Sequence, residues 1–187
     1  MHIDKLLQIG FVTLTLLFSG PLLLYGGNTK PNIILIMADD LGYECLGVYG
    51  SRSYQTPHLD QLAKEGLLFQ NAQSQPLCTP SRVKIMTGKY NYRNYDYFGN
   101  LQEGAYTIGN LLEEAGYATC VVGKWQLNGL YHDTLYQQWD DTDRVRRFGF
   151  SEYCLWQLTK TARNGERYAN PLVEQNGEVL PRDSSKY

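Results

Sequence analysis

An uninterrupted apolar run near the start of the chain constrains the fold more than any other feature. Residues 32–38 read NIILIMA, and two adjacent aspartates, Asp39 and Asp40, follow the run directly. Apolar and β-branched residues without polar alternation are typical of a strand that is buried on both faces, as strands of parallel sheets are. The run therefore predicts a central strand of a largely parallel sheet.

Helical patterns alternate with this run and with two shorter apolar runs. Helices are expected to begin at Thr56-Pro57, Pro80 and Thr107, and to end at Gly66, about Thr87 and Gly116. Further strands are expected at residues 67–69 and 117–122. Strands separated by helices predict an α/β fold, with a mostly parallel sheet flanked by helices.

Composition excludes several classes of protein. The chain has 187 residues, of which 43% are hydrophobic and 19% charged, and this is typical of one globular domain. The net charge is -2 and no long basic run occurs, so binding to nucleic acid is not expected. Four cysteines are too few for a scaffold built from disulfides.

Residues 1–28 form a segment that is expected to lie outside the folded domain at 29–187. Lys5 precedes an apolar stretch at residues 6–18, and small or helix-breaking residues follow it. This order is typical of a secretory signal peptide. An uncleaved signal anchor is the alternative, since about 20 mostly apolar residues can span a bilayer. Both interpretations predict an exported protein, periplasmic or secreted in the first case and membrane-anchored in the second.

Four reactive side chains follow the predicted strands. Asp39 and Asp40 come after the first strand, Lys124 ends the last one, and Cys78 lies at the start of a helix after the remaining strand. Ligands of open α/β sheets bind beyond the carboxyl ends of the strands, so we expect these side chains to converge on one rim. A helix N-terminus favours a bound anion, and paired carboxylates supply the hard oxygen ligands that suit calcium or magnesium.

Two longer motifs resemble those of a known family. Residues 76–88 (PLCTPSRVKIMTG) resemble the first sulfatase signature at every position, and residues 116–125 (GYATCVVGKW) resemble the second. The Asp39-Asp40 pair and residues 56–60 (TPHLD) also match the family pattern. The chain thus resembles the N-terminal part of formylglycine-dependent, arylsulfatase-like sulfatases of the alkaline-phosphatase superfamily. This resemblance implies an alkaline-phosphatase-like fold and hydrolysis of a sulfate ester.

The resemblance also implies a role for each residue of the site. A formylglycine-generating enzyme would convert Cys78 to formylglycine, whose hydrate would attack sulfur as a nucleophile. Arg82 would hold an oxygen of the hydrate, and Lys124 would face a sulfate oxygen. A divalent cation, calcium or magnesium, would be bound by Asp39, Asp40 and residue 78. The substrate would be a sulfated small molecule or glycan.

Gln126 departs from the family pattern, which usually has histidine at this position. Glutamine can donate and accept hydrogen bonds, but it cannot transfer a proton at neutral pH. We therefore expect Gln126 to position an oxygen at the site without acting as a general acid or base.

Length is the second departure, because sulfatases are far longer than this chain. Residues 170–177 (NPLVEQNG) resemble a region near their middle, and the remaining metal ligands are expected beyond it. Calcium generally takes about 6–8 oxygen ligands, more than Asp39, Asp40 and residue 78 provide. The chain is therefore expected to be incomplete. A formylglycine-dependent phosphoester or phosphonate ester hydrolase and an inactive fragment are the alternatives, and the oligomeric state is left open.

Some further residues are expected to serve structure only. Cys45, Cys120 and Cys154 are interpreted as core residues and His58 as structural. The aromatic residues after the first signature could line a cleft for a sugar or aryl group, although packing is favoured: Tyr90, Tyr92, Tyr95, Tyr97 and Phe98.

Overall fold

The computed structural model describes residues 30–129, 141–156 and 171–181. The predicted signal segment, residues 1–28, lies outside the described residues. The chain divides into two units, Met1–Ala38 and Asp39–Tyr187. No helix among the described residues is long and apolar enough to cross a membrane.

In the first unit, residues 30–38 form no helix or strand. The prediction of a buried strand at residues 32–38 is therefore wrong for this structure, and Ile34 and Ile36 are both 84% exposed. An apolar sequence can favour an extended chain, but a strand exists only where a neighbouring strand supplies hydrogen bonds. The described residues provide none for this run.

The second unit contains four α-helices and four strands among its described residues. The helices are α1 (Pro57–Glu65), α2 (Cys78–Thr87), α3 (Ile108–Glu114) and α4 (Arg144–Arg147). The strands are β1 (Cys120–Lys124), β2 (Glu152–Trp156), β3 (Val173–Gln175) and β4 (Glu178–Val179). Short 3-10 helices lie at Tyr43–Cys45, Gly47–Tyr49 and Asn91–Arg93.

The helix boundaries follow local signals closely. The Thr107 hydroxyl caps α3 by accepting from the backbone N–H groups of Gly109 and Asn110, at 3.0 and 3.3 Å. Helix α1 follows Thr56, as predicted. Helix α2 ends at Thr87, as predicted, because Gly88 adopts a left-handed φ of 64°.

Helix α2 begins two residues earlier than predicted, at Cys78 instead of Pro80. Proline is tolerated at the third helical position as well as the first, because the first four N–H groups of a helix have no intrahelical acceptor. The early start places Cys78 itself in the first turn.

The sheet is mixed within the part of the chain that the structure describes. Its strand order is β1-β2-β3-β4. β1 pairs with β2 in parallel, with Cys120 opposite Glu152 and Lys124 opposite Trp156. The pairs β2-β3 and β3-β4 are antiparallel, so the prediction of a mostly parallel sheet is not met by the described strands. Only two residues, 176 and 177, connect β3 to β4, and so short a connection joins antiparallel strands.

Two of the predicted strands need correction. Residues 67–69 form no strand, since no neighbouring strand pairs with them, and Leu67 is exposed. The strand expected at residues 117–122 instead spans Cys120–Lys124, because pairing with β2 begins only at Cys120.

One face of the sheet packs against the core. Tyr153 and Leu155 of β2 point to this buried face. The other buried apolar residues are Val83, Leu101, Trp125, Leu127, Val145, Phe148 and Phe150. Cys120 is exposed, so its prediction as a core residue is wrong, because alternate residues of a strand face away from the core. Cys45 and Cys154 are half-buried, and all four cysteines are free.

Candidate active site

Cys78 is the first residue of α2 and is half-buried. The turn before it is fixed by Ser81, whose hydroxyl accepts from the Gln75 N–H at 3.0 Å and lies 2.9 Å from the Leu77 carbonyl, to which it donates. The free N–H groups and the positive end of the helix dipole therefore face the Cys78 side of the turn. This arrangement favours a bound anion.

Arg82 lies one turn along α2 from Cys78 and is largely buried. Its guanidinium donates to the Trp125 carbonyl oxygen and lies 3.5 Å from the Thr79 hydroxyl. Burial lowers the pKa of Arg82, while negative charge at Cys78 and Asp39 acts in the opposite direction. Its Nε is buried without a hydrogen-bond partner among the described residues. A buried cation thus lies beside Cys78.

Lys124, the last residue of β1, joins the two other parts of the site. Its Nζ lies 2.6 Å from the Asp39 Oδ2 and 3.4 Å from the Cys78 Sγ. The ion pair is partly shielded from water, since the Lys124 and Asp39 side chains are 17% and 37% exposed. The structure therefore brings together Cys78, Lys124 and Asp39, although the strands expected before Asp39 and before Cys78 are not formed.

Asp40 is placed differently. It is exposed, has a left-handed φ of 56°, and its side chain makes no hydrogen bond or ion pair with the described residues. A positive φ is uncommon outside glycine, although aspartate tolerates it better than most residues. The structure does not bring Asp40 into contact with Cys78 or Lys124.

Gln126 follows β1 and is almost fully buried, with a left-handed φ of 47°. The backbone on both sides of it is held by hydrogen bonds. Trp125 N–H donates to the Trp156 carbonyl and Leu101 N–H donates to the Leu127 carbonyl, both at 2.9 Å. Gln126 is thus fixed next to Trp125, whose carbonyl accepts from Arg82.

Asp39 and Asp40 are the candidate ligands for a divalent cation. Asp39 and Asp40 carry hard oxygen donors of the kind that calcium and magnesium prefer. However, residues 30–129, 141–156 and 171–181 contain no group of three or more His, Cys, Asp or Glu side chains that could hold a metal ion. One oxygen of Asp39 also contacts Lys124. The described residues do not complete a cation site.

Tyr95 and Thr79 were not identified as parts of the site from the sequence. Burial raises the pKa of Tyr95, and the charge of Cys78 acts in the same direction. The buried Thr79 hydroxyl accepts from the Gly99 N–H at 3.2 Å. The only signal in the sequence was the aromatic run after the first signature, in which Tyr95 is one of several similar residues.

A helix N-terminus with two adjacent cations, Lys124 and Arg82, suits the binding of a tetrahedral anion. The sequence model of the Sulfatase family matches residues 31–183, and the chain belongs to the sulfatase family.

Curated relatives match about half of the chain. It is 44% identical to human arylsulfatase D over 110 residues, which cover 51% of this chain and 18% of that protein. It is 43% identical to human N-acetylgalactosamine-6-sulfatase over 118 residues, 54% of this chain and 23% of that protein. Mouse steryl-sulfatase is 45% identical over 111 residues, 52% of this chain and 18% of the relative. The chain thus spans about a fifth of the length of these relatives.

Solved structures match a larger part of the chain. One, from work on glycosaminoglycan metabolism by Bacteroides thetaiotaomicron, has a TM-score of 0.63 and 32% identity, covering 83% of this chain and 33% of that one. Another, Ps i-CgsB, has a TM-score of 0.62 and 30% identity, covering 83% and 38%. These neighbours are sulfatases with an alkaline-phosphatase-like fold, and the predicted fold class is confirmed.

Proposed function

We propose that this protein hydrolyses sulfate esters with residue 78, converted to formylglycine, as the nucleophile. The observation that carries the proposal is the position of the Lys124 Nζ, 3.4 Å from the Cys78 Sγ. Together with Arg82, it provides two cations next to a side chain at a helix N-terminus. A sulfate group bound there would have its charge offset on several sides.

The two hydroxyls of the formylglycine hydrate would divide the reaction into two steps. In the first, one hydroxyl attacks sulfur, the bond from sulfur to the ester oxygen breaks, and the alcohol leaves. In the second, the other hydroxyl loses its proton, the bond from carbon to the sulfate oxygen breaks, and sulfate leaves as the aldehyde re-forms. Addition of water to the aldehyde then restores the hydrate. Lys124 would stabilise the charge on a sulfate oxygen, and Arg82 would orient an oxygen of the hydrate.

The proposal includes a divalent cation because two carboxylates that are adjacent in the sequence could bind it. Asp39 and Asp40 have suitable donor chemistry for calcium or magnesium, and residue 78 would be a third ligand. The remaining ligands would come from outside the described residues.

The substrate and the location of the protein are also proposals. One relative is named N-acetylgalactosamine-6-sulfatase, and Ps i-CgsB was solved in complex with k-i-k-neocarrahexaose. These names support a sulfated saccharide as the substrate. The apolar segment near the N-terminus supports export of the protein.

The proposal is tested with the full-length protein produced together with a formylglycine-generating enzyme. Mass spectrometry of the peptide that contains residue 78 should find the aldehyde or its hydrate. The protein should hydrolyse 4-nitrophenyl sulfate faster than 4-nitrophenyl phosphate, and Cys78→Ala should remove this activity. An unmodified thiol throughout an active sample would refute the nucleophile, and faster turnover of the phosphate would favour a phosphoester hydrolase.

Gln126 can be tested separately through the pH dependence of kcat. If it positions an oxygen without transferring a proton, the wild-type profile should show no titration near neutrality, whereas Gln126→His should introduce one. A neutral titration that is already present in the wild type must come from another group, whereas a Gln126→His profile identical to that of the wild type would contradict a place for this residue at the site.

A further inference from the structure

The chain turns back along α2 after Gly88. We define residues 89–97 as the return segment. Lys84 Nζ lies 5.1 Å from the centre of the Tyr90 ring, and Asn91 Nδ2 donates to the Pro80 carbonyl at 2.9 Å. Since Pro80 precedes Lys84 by one turn, the return segment runs back towards the end of α2 that carries Cys78.

Buried amide contacts hold the return segment in place. The Asn94 side chain is buried, and its Nδ2 donates to the Thr87 hydroxyl at 2.5 Å and to the Lys89 carbonyl at 3.0 Å. Beyond the segment, Gly99 N–H donates to Thr79 at 3.2 Å. The segment is therefore tied to both ends of α2, and Tyr95 lies between the contacts at Asn91 and Gly99.

Two tyrosines of the return segment form an exposed pair. The Tyr90 and Tyr92 rings are nearly parallel, with an interplanar angle of 12° and centres 6.3 Å apart. Tyr90 is 65% and Tyr92 84% exposed, so the prediction that they serve packing is wrong for both. Exposed aromatic rings of this kind can pack against the C–H face of a sugar ring.

The charged residues near the tyrosine pair in the sequence are mostly cations. Residues 82–97 include four cations and one acid, Asp96, which accepts from Gln102. Lys84, Lys89 and Arg93 form no ion pair with the residues that the structure describes. A ligand for this surface should combine apolar ring faces with negative charge, and a sulfated oligosaccharide has both properties.

We propose that the return segment is a binding subsite for a sulfated oligosaccharide whose scissile sulfate lies at residue 78. The sugar chain passes Tyr95 and stacks on the Tyr90–Tyr92 pair, while Lys84, Lys89 and Arg93 contact its other sulfate groups. Lys84 lies six positions after Cys78 in α2, about 9 Å along the helix axis. The subsite thus lies within one or two sugar units of the reacting sulfate. This inference rests on the proposed function and narrows its substrate to an extended glycan.

The test compares a long and a short substrate in the full-length protein. Tyr92→Ala should lower kcat/KM for a sulfated oligosaccharide about tenfold, the size of one aromatic stacking contact, through KM. It should leave kcat/KM for 4-nitrophenyl sulfate unchanged, because this ester does not reach the pair. Tyr92→Phe keeps the ring and should retain oligosaccharide turnover. Tyr54→Ala, at an exposed tyrosine away from the segment, is the matched control and should change neither value.

A binding measurement separates failure of the subsite from failure of the proposed function. The Cys78→Ala protein should bind the sulfated oligosaccharide in calorimetry, more weakly after Tyr92→Ala and not at all once the glycan is desulfated. Such binding supports the subsite even if the wild-type protein hydrolyses no sulfate ester. Absence of hydrolysis would contradict only the proposed function. An equal loss with both substrates, or binding that Tyr92→Ala leaves unchanged, would overturn the subsite.

Discussion

The two halves of the candidate site differ in how completely the described residues hold them. Around Cys78, side chains from α2 and β1 contact one another, and Arg82 and Ser81 are fixed by partly buried hydrogen bonds. Around the carboxylates, Asp39 has one ion pair and Asp40 is exposed. The half that would bind the anion is thus preformed by local structure, whereas the half that would bind the cation depends on further ligands.

Lys124 connects the two halves, and its removal should have the largest effect. Lys124→Ala should lower kcat for 4-nitrophenyl sulfate about 10²–10³-fold, because a charge directed at the developing sulfate is lost. Lys124→Arg keeps the charge and should retain more activity. Lys64→Ala, at an exposed lysine of α1, should have no effect. A loss below threefold for Lys124→Ala would show that this lysine serves only the ion pair with Asp39.

Calcium should stabilise the folded protein by binding to the half of the site that contains Asp39 and Asp40. At a concentration 100 times its Kd, a cation that binds only the folded state adds about 2.7 kcal/mol to the free energy of unfolding. We expect this gain in thermal unfolding of the wild-type full-length protein, and its loss after chelation.

The double variant Asp39→Asn, Asp40→Asn should lose the calcium effect, while Asp96→Asn should retain it. If the double variant responds like the wild type, calcium binds elsewhere and the comparison between the two halves needs revision. If Asp40→Asn alone responds like the wild type, only Asp39 belongs to the cation site.

Arg82 tests whether the anion half is built into the fold. Arg82→Met preserves much of the volume but removes the donors to Trp125 and Thr79. The free energy of unfolding should fall by about 2–3 kcal/mol, as for a buried hydrogen bond to a charged group. Arg93→Met, at an exposed position, should change it by less than about 0.5 kcal/mol. Urea unfolding measures both, and equal stability of the two variants would contradict a structural role for Arg82.

The parts of the fold that could be predicted are those with local causes. Thr107 and Gly116 bound α3 because their backbone and side-chain preferences act within one turn. Cys78 and Lys124 could be placed at one rim because the ends of elements carry them. Residues 32–38 could not be predicted correctly, since strand formation requires a partner that the residues themselves do not specify.

Contacts between residues far apart in the sequence could not be predicted either. The acceptor of Arg82, the Trp125 carbonyl, lies 43 residues away. The chain turns back along α2 through the contacts of Asn91 with the Pro80 carbonyl and of Asn94 with the Lys89 carbonyl, which no local signal predicts. In the sequence, Tyr95 cannot be distinguished from Tyr90 and Tyr92, which remain exposed.

Ser81→Ala should have the smallest effect on the free energy of unfolding. It also tests most directly whether the half of the site around Cys78 is preformed. The Ser81 hydroxyl is buried and connects Gln75 N–H with the Leu77 carbonyl, so Ser81→Ala leaves the turn before Cys78 without its side-chain contacts. The free energy of unfolding should fall by about 1–2 kcal/mol. The exposed Ser53 provides the control, since Ser53→Ala should change it by less than about 0.5 kcal/mol. Calcium stabilisation should persist in Ser81→Ala, because the change affects only the anion half. Loss of the calcium effect would mean that the two halves form one cooperative unit, contrary to the difference described above.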